Sequence, residues 1–186
     1  MEYICLKQQL YTDGKYSLTP LRHQDIFLIK KWRNEQIEVL RQKEPLTDAM
    51  QEHYFHNVIT PLFTQKHPEQ ILLSFLLDGN LIGYGGIVHI DWPISQGEVS
   101  FLVETVRSKD EEIYNNDFAS FLKLIKQLAF KDLHLHRLYT ETFDIRPLHV
   151  AVLEEQGFHF EKRLKDHTFK NDKIMDSLIH GCFSHE

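Results

Sequence analysis

The last third of the chain constrains its fold most. Between Phe118 and Cys182 a helix, a strand, a second helix and two closing strands must follow one another with few residues to spare. In FASFLKLIKQLAF (118–130), Phe118, Phe121, Leu122, Ile125, Leu128 and Ala129 recur at three- and four-residue intervals, the spacing of a helix with one buried face. HRLYTETF (136–143) then sets Leu138, Thr140 and Thr142 against Arg137, Tyr139 and Glu141, in residue types that favour a strand. Asp144 is the expected N-cap of the next helix, with Pro147 in its first turn. Gly157 supplies the left-handed residue that ends this helix, and Phe158 closes over the end. The closing strands are expected over 159–164 and 174–182.

Upstream, YSLTPL (16–21) reads as a strand, followed by Arg22, His23, Gln24, Asp25 and a helix carrying Ile26, Ile29, Trp32, Arg33 and Asn34. Trp32 stands three residues after Ile29, so it is expected in the core. Strands over 71–77 and 81–90 flank Asp78-Gly79-Asn80, a strong hairpin-turn signal. A further strand is EVSFLV (98–103). A chain of 186 residues with 42% hydrophobic content can hold one sizeable core, and no linker, repeat or low-complexity stretch divides it, so one domain over 1–186 is expected. A formal charge of −6 argues against general nucleic-acid binding, which needs phosphate neutralisation, and the 12 scattered histidines make no basic stripe. Cys5 and Cys182 are too few for a disulfide framework and lack metal-ligand spacing, which fits a reduced, cytoplasmic protein. His134 and His136 stand at strand spacing without a third ligand, so no metal is expected. No signal-peptide pattern or bilayer-length apolar run is present, and no membrane partner is expected.

The order of elements, the Gln156-Gly157-Phe158 ending, the strand–Arg22–Asp25–helix–Trp32 opening and the run Leu81-Ile82-Gly83-Tyr84-Gly85-Gly86 together resemble the GCN5-related N-acetyltransferase superfamily. The likeness spans roughly 16–182 and is similar to the branch that acetylates ribosomal protein N-termini, polyamines and sugar-nucleotide amines. The resemblance implies a single α/β (α+β) domain: a twisted, mixed, mostly antiparallel sheet with flanking helices, whose 98–103 strand splays from its neighbour to admit acetyl-CoA. It implies acetyl transfer to a primary amine without a metal, in a monomer or homodimer. The acceptor would be a small amine or amino-sugar nucleotide first and a protein N-terminus second.

The same resemblance assigns roles. Main chain at Leu102 and Val103 would pair with the pantetheine arm as an added strand does. The pyrophosphate segment falls on Ile113-Tyr114-Asn115-Asn116-Asp117-Phe118, where the family's glycines are absent. Asn115 and Asn116 are the candidates there, Asn116 because asparagine can adopt the left-handed conformation a glycine would supply. The alternative is that Asn115-Asn116-Asp117 caps a helix and the acidic Asp110-Glu111-Glu112 run complements its dipole. Cofactor binding is then weak or absent, and the chain is a catalytically inactive domain of this fold. Glu98 matches the general base of histone-acetylating members, with Glu104 further along the strand as the alternative. Leu153 stands where the family often has a proton-donating tyrosine, which leaves water or Tyr139 as donor. Arg146 stands at a cofactor-binding asparagine position and His149 is a further acid or base. Arg33, Asn34 and Trp92 are the acceptor-side candidates, and an acceptor carrying phosphate would call for an arginine such as Arg33 or Arg41.

Overall fold

The Asp78-Gly79 turn sets the first long hairpin. In the computed structural model, which describes residues 1–170 and 173–185, Asp78 and Gly79 have φ of 48° and 79°. Positive φ at both central residues gives a hairpin turn whose twist matches that of its strands. β3 (Ile71–Leu77) and β4 (Asn80–Asp91) pair antiparallel through it. β1 (Tyr11–Asp13) and β2 (Tyr16–Pro20) extend the sheet beyond β3. β5 (Gln96–Val103), β6 (Arg137–Phe143), β7 (His159–Lys170) and β8 (Lys173–Phe183) extend it beyond β4, giving the order β1-β2-β3-β4-β5-β6-β8-β7. Neighbours pair antiparallel except β5 and β6, whose parallel register covers only Gln96↔Arg137, Gly97↔Leu138 and Glu98↔Tyr139. Beyond Glu98 and Tyr139 the two strands part, and the expected mixed, mostly antiparallel sheet with a splayed strand is formed.

The helices are α1 (Ile26–Glu35), α2 (Asp48–Tyr54), the short α3 (Thr60–Leu62) reached through a π turn over Phe55–Ile59, α4 (Glu111–Lys126) and α5 (Pro147–Glu155). Alternation along β5 assigns the layers. Phe101 faces α4, with its ring 4.5 Å from that of Phe118 and 4.7 Å from that of Phe121. Ser100, one residue earlier, points to the opposite face beneath α1 and α2. Phe75 joins the cluster from β3, 5.4 Å from Phe121. Removing one such buried ring costs about 3–5 kcal/mol. Close approach explains Gly85 on β4: a Cβ there would lie 2.1 Å from the Ser100 carbonyl oxygen and 2.7 Å from the Phe121 ring.

Three expectations change. α4 begins at Glu111, well before Phe118, because the Asp110 carboxylate accepts from the Ile113 N–H at 3.0 Å and Tyr114 and Asp117 are already buried. Asp144 does not cap α5; Arg146 occupies the N-cap position, while the Asp144 carboxylate pairs with Arg163 at 2.5 Å. β7 runs on to Lys170, past the expected 164, and is exposed along most of its length, so no buried face marks it in the sequence. The end of α5 is as expected: Gly157 has φ of 80° and Phe158 is fully buried. Trp32 is buried in the core.

Candidate active site

The parting of β5 from β6 leaves one strand edge without a ladder. Along β5, the Glu104 N–H donates to the Ile82 carbonyl of β4, while the Val103 carbonyl, facing the other way, accepts from Gln36 Nε2 at 2.8 Å. Alternation then directs the main-chain groups of Val99, Phe101 and Val103 toward the opening, and those of Ser100 and Leu102 toward β4. This corrects the expectation for Leu102: its main chain is committed to the Tyr84 pairing, while Val103 does lie on the open edge.

A notch of about 440 Å³ occupies the opening, lined by Glu98, Val99, Ser100 and Phe101 on one side and Thr140, Glu141 and Thr142 on the other. Glu98 is the buried carboxylate of this notch. Arg41 forks onto it at 2.6 and 3.3 Å and reaches Glu141 at 3.2 Å. Burial pulls the Arg41 pKa down, but Glu98 and Glu141 outweigh it and the net shift is upward. His89 completes the arrangement with Nδ1 2.9 Å from Glu98 Oε2. It sits where the β4–β5 register slips, with φ of 49°, a conformation that costs a non-glycine residue about 1–3 kcal/mol. The imidazole is otherwise exposed, and the register slip turns it toward the buried Glu98 carboxylate.

At the α5 side of the notch, the Tyr114 hydroxyl lies 2.7 Å from His149 Nδ1 and accepts from Arg146 Nη2 at 2.9 Å. His149 stacks on Phe118 at 4.2 Å. Burial, reinforced by Arg146 and then His180, holds its pKa well below the usual histidine range. The imidazole is therefore neutral, and with its proton on Nδ1 both it and Arg146 donate to the phenol oxygen, which leaves the Tyr114 hydroxyl proton free to be given elsewhere. Burial raises the Tyr114 pKa, with Arg146 opposing. Arg146 and His149 line the notch; Tyr114, hydrogen-bonded to both, is not singled out by the sequence because it precedes the phenylalanine stripe of α4.

The other candidates are placed as follows. Asn115 and Asn116 lie in the second turn of α4, with no left-handed residue among them, so the expected glycine mimicry at Asn116 is not formed. The first turn is instead closed by Asp110 and carries Glu111 and Glu112. Glu104 is six residues from Glu98, about 20 Å along the strand, and lines a separate cavity with Lys31, Trp32 and Ser108. Tyr139 pairs in register with Glu98, and burial, then the Glu98 charge, raise its pKa. Asn34 holds the following loop, accepting from the Leu46 N–H at 2.8 Å and donating to the Leu46 carbonyl at 2.9 Å. Trp92 donates to the Pro68 carbonyl at 2.9 Å and lies 5.0 Å from the His67 ring at a tilt of 53°, outside the notch. Among the described residues the grouping that could hold a metal ion is His23, Glu52 and His56, which lines none of these cavities.

A second cavity of about 690 Å³ adjoins the notch beneath α1 and α2, and Arg33, Gln70, Val88 and Ser100 line both. A third, about 300 Å³, continues the notch past Arg146, His149 and Tyr114 to Ser108. The notch and the larger cavity therefore meet at Ser100, two residues from Glu98. Among the described residues no helix is long and apolar enough to cross a membrane.

A family model described as an acetyltransferase (GNAT) domain matches residues 18–179. No curated protein matches the sequence. Among solved structures, the spermidine N-acetyltransferase from Vibrio cholerae in complex with CoA and spermine superposes with a TM-score of 0.78 at 18% identity, covering 93% of this chain and 98% of that one. The ribosomal-protein-S5-alanine acetyltransferase from Vibrio fischeri gives 0.73 at 16% identity, covering 96% and 98%. A probable acetyltransferase gives 0.74 at 17% identity, covering 95% and 97%.

Proposed function

This chain belongs to the acetyltransferase (GNAT) domain family, and we propose on that premise that it moves an acetyl group from acetyl-CoA to a primary amine. The acceptor is a small molecule or an amino-sugar nucleotide first and a protein N-terminus second. The observation that carries this reading is the β5 edge at Val99, Phe101 and Val103, whose main-chain groups open into a notch beside a buried carboxylate. An amide-bearing arm fits such an edge as an added strand would. That a CoA-bound structure shares the fold supports acetyl-CoA as donor.

In the reaction the amine nitrogen bonds to the acetyl carbon and the carbon–sulfur bond breaks. The amine's proton must leave and the departing sulfur must gain one. Glu98 accepts the amine's proton, with His89 beside it to pass the proton to solvent. The open-edge N–H groups polarise the carbonyl. Tyr114, oriented by His149 and Arg146, donates toward the sulfur and replaces the donor that Leu153 cannot be. Arg146 also offers the donor's anionic portion a guanidinium that the α4 N-terminus, closed by Asp110, does not.

That same Asp110–Glu112 cluster favours the second reading, a domain of this fold that no longer binds the cofactor. Calorimetric titration with acetyl-CoA separates the two. Saturable one-site binding accompanied by thiol release in the presence of an amine supports transfer, and no binding at about 1 mM, a free energy near 4 kcal/mol, overturns it.

A further inference from the structure

The arginines of this chain divide by their partners. Arg22, Arg41, Arg107, Arg137 and Arg163 each meet a carboxylate within 2.9 Å. Arg33 and Arg146, among the described residues, meet none: their partners are the Tyr84 hydroxyl and the Gln42 amide for Arg33, and the Tyr114 hydroxyl for Arg146. Both line the reaction cavities. Arg146 belongs to the donor side already described. Arg33 stands on the acceptor side, at the seam where the large cavity joins the notch.

The surroundings of Arg33 are unusual for a cation. It projects from α1 into a cavity whose lining contains no aspartate or glutamate and is built largely of apolar side chains such as Leu21, Ile29, Met50 and Leu72. The Tyr84 hydroxyl against the guanidinium, outweighing burial, raises its pKa, so Arg33 is charged. A guanidinium carries five N–H donors, and neutral partners on Nε and Nη1 leave the Nη2 end of the fork available. A partly buried charge with only neutral protein partners is stabilised by an anion that arrives with the ligand.

We infer that the acceptor carries an anionic group, a carboxylate or a phosphate, on the same molecule as its amine, with Arg33 as the counter-charge and the apolar cavity holding the rest of the molecule. This rests on the acetyl-transfer reading only for the word acceptor; the anion site itself does not depend on it. The geometry orients the molecule: its anion lies at Arg33, its amine across Ser100 at Glu98, and its body against Leu21, Leu72 and Met50. It also disfavours a polyamine, because the ammonium groups beyond the one at Glu98 would lie in a cavity that offers a guanidinium and no carboxylate.

The test is calorimetric titration of the full chain, without acetyl-CoA, by three probes: N-acetyl-L-leucine for a carboxylate on an apolar body, uridine diphosphate for a phosphate, and spermidine for a polycation. One of the two anions is expected to bind saturably and to lose about tenfold or more in affinity in Arg33→Gln, with Arg33→Lys intermediate because it keeps charge and loses the fork. The anion that binds identifies the group. Absence of binding by both anions overturns the inference whatever spermidine does, and so does equal anion affinity in wild type and Arg33→Gln. If Arg33→Gln does not fold, the comparison rests on Arg33→Lys, where unchanged affinity is the overturning result. A parallel acetyl-CoA titration keeps the two readings apart: anion binding without acetyl-CoA binding ends the transferase reading and leaves the Arg33 site standing.

Discussion

Glu98 is held by more than a base requires. Arg41 forks onto the carboxylate, His89 touches the same oxygen, and Glu141 shares the arginine, so in the proposed reaction the amine's proton would enter a network with an exit to solvent at His89. Glu98→Gln removes the acceptor of that proton and is expected to lower turnover by about 10²–10⁴ while acetyl-CoA affinity, measured by calorimetry, stays within a few-fold. Tyr114→Phe keeps the ring packed on Phe118 and removes only the hydroxyl. Turnover is expected to fall by about 10² with little change in KM, and the alkaline limb of the pH–rate profile is expected to move. The place of Glu98 was legible from its residue type and strand position; that of His89 beside it was not, because it comes from a register slip and a left-handed backbone that no spacing in the sequence announces.

At the scale of elements, the start of α4 bears most on the proposed binding of the donor. Asp110 closes the helix end, and with Glu111 and Glu112 it opposes a phosphate at the site where a helix dipole would otherwise attract one. Asp110→Ser keeps a good N-cap and removes the charge, so helix stability should change by less than about 0.5 kcal/mol while acetyl-CoA binds several-fold more tightly. An unchanged dissociation constant would show that the diphosphate lies elsewhere. The apolar periodicity of α4, the alternation of β6 and the Gly157-Phe158 ending could be read directly because each buries one face in a common core. α2 could not, for a physical reason. Its inner side lines a cavity through Met50, Gln51, His53 and Tyr54 and does not meet a packed core, so no apolar stripe is needed to hold it. The true beginning of α4 was hidden likewise, since its first turns carry acids and asparagines ahead of the phenylalanine stripe.

For the whole molecule, acid stability is set in part by buried imidazole. His149 stays neutral in the folded state because burial, Arg146 and His180 lower its pKa, whereas in the unfolded chain it titrates near ~6.5. His180, fully buried beside Thr140, is lowered too, chiefly by burial. Below pH ~6.5 the unfolded state binds the extra protons, so stability falls as pH drops, by about 1.4 kcal/mol per pH unit for each such histidine until the folded pKa is reached. Denaturant midpoints measured between about pH 7 and 5 should fall accordingly, and His149→Phe, which preserves the stack on Phe118, should flatten the slope.

The short parallel seam between β5 and β6 has a thermodynamic corollary. The β5–β6 register covers only Gln96–Glu98, so a guest that bonds to Val99 and Phe101 would add to the links between the two halves of the sheet. Its binding adds to the cohesion of the molecule by about 2.7 kcal/mol at a hundredfold excess over its dissociation constant. Amide hydrogen exchange at Val99, Phe101 and their β6 counterparts should slow on adding acetyl-CoA by more than elsewhere in the sheet. The melting temperature would then work as a gauge of donor supply, rising and falling with its free concentration.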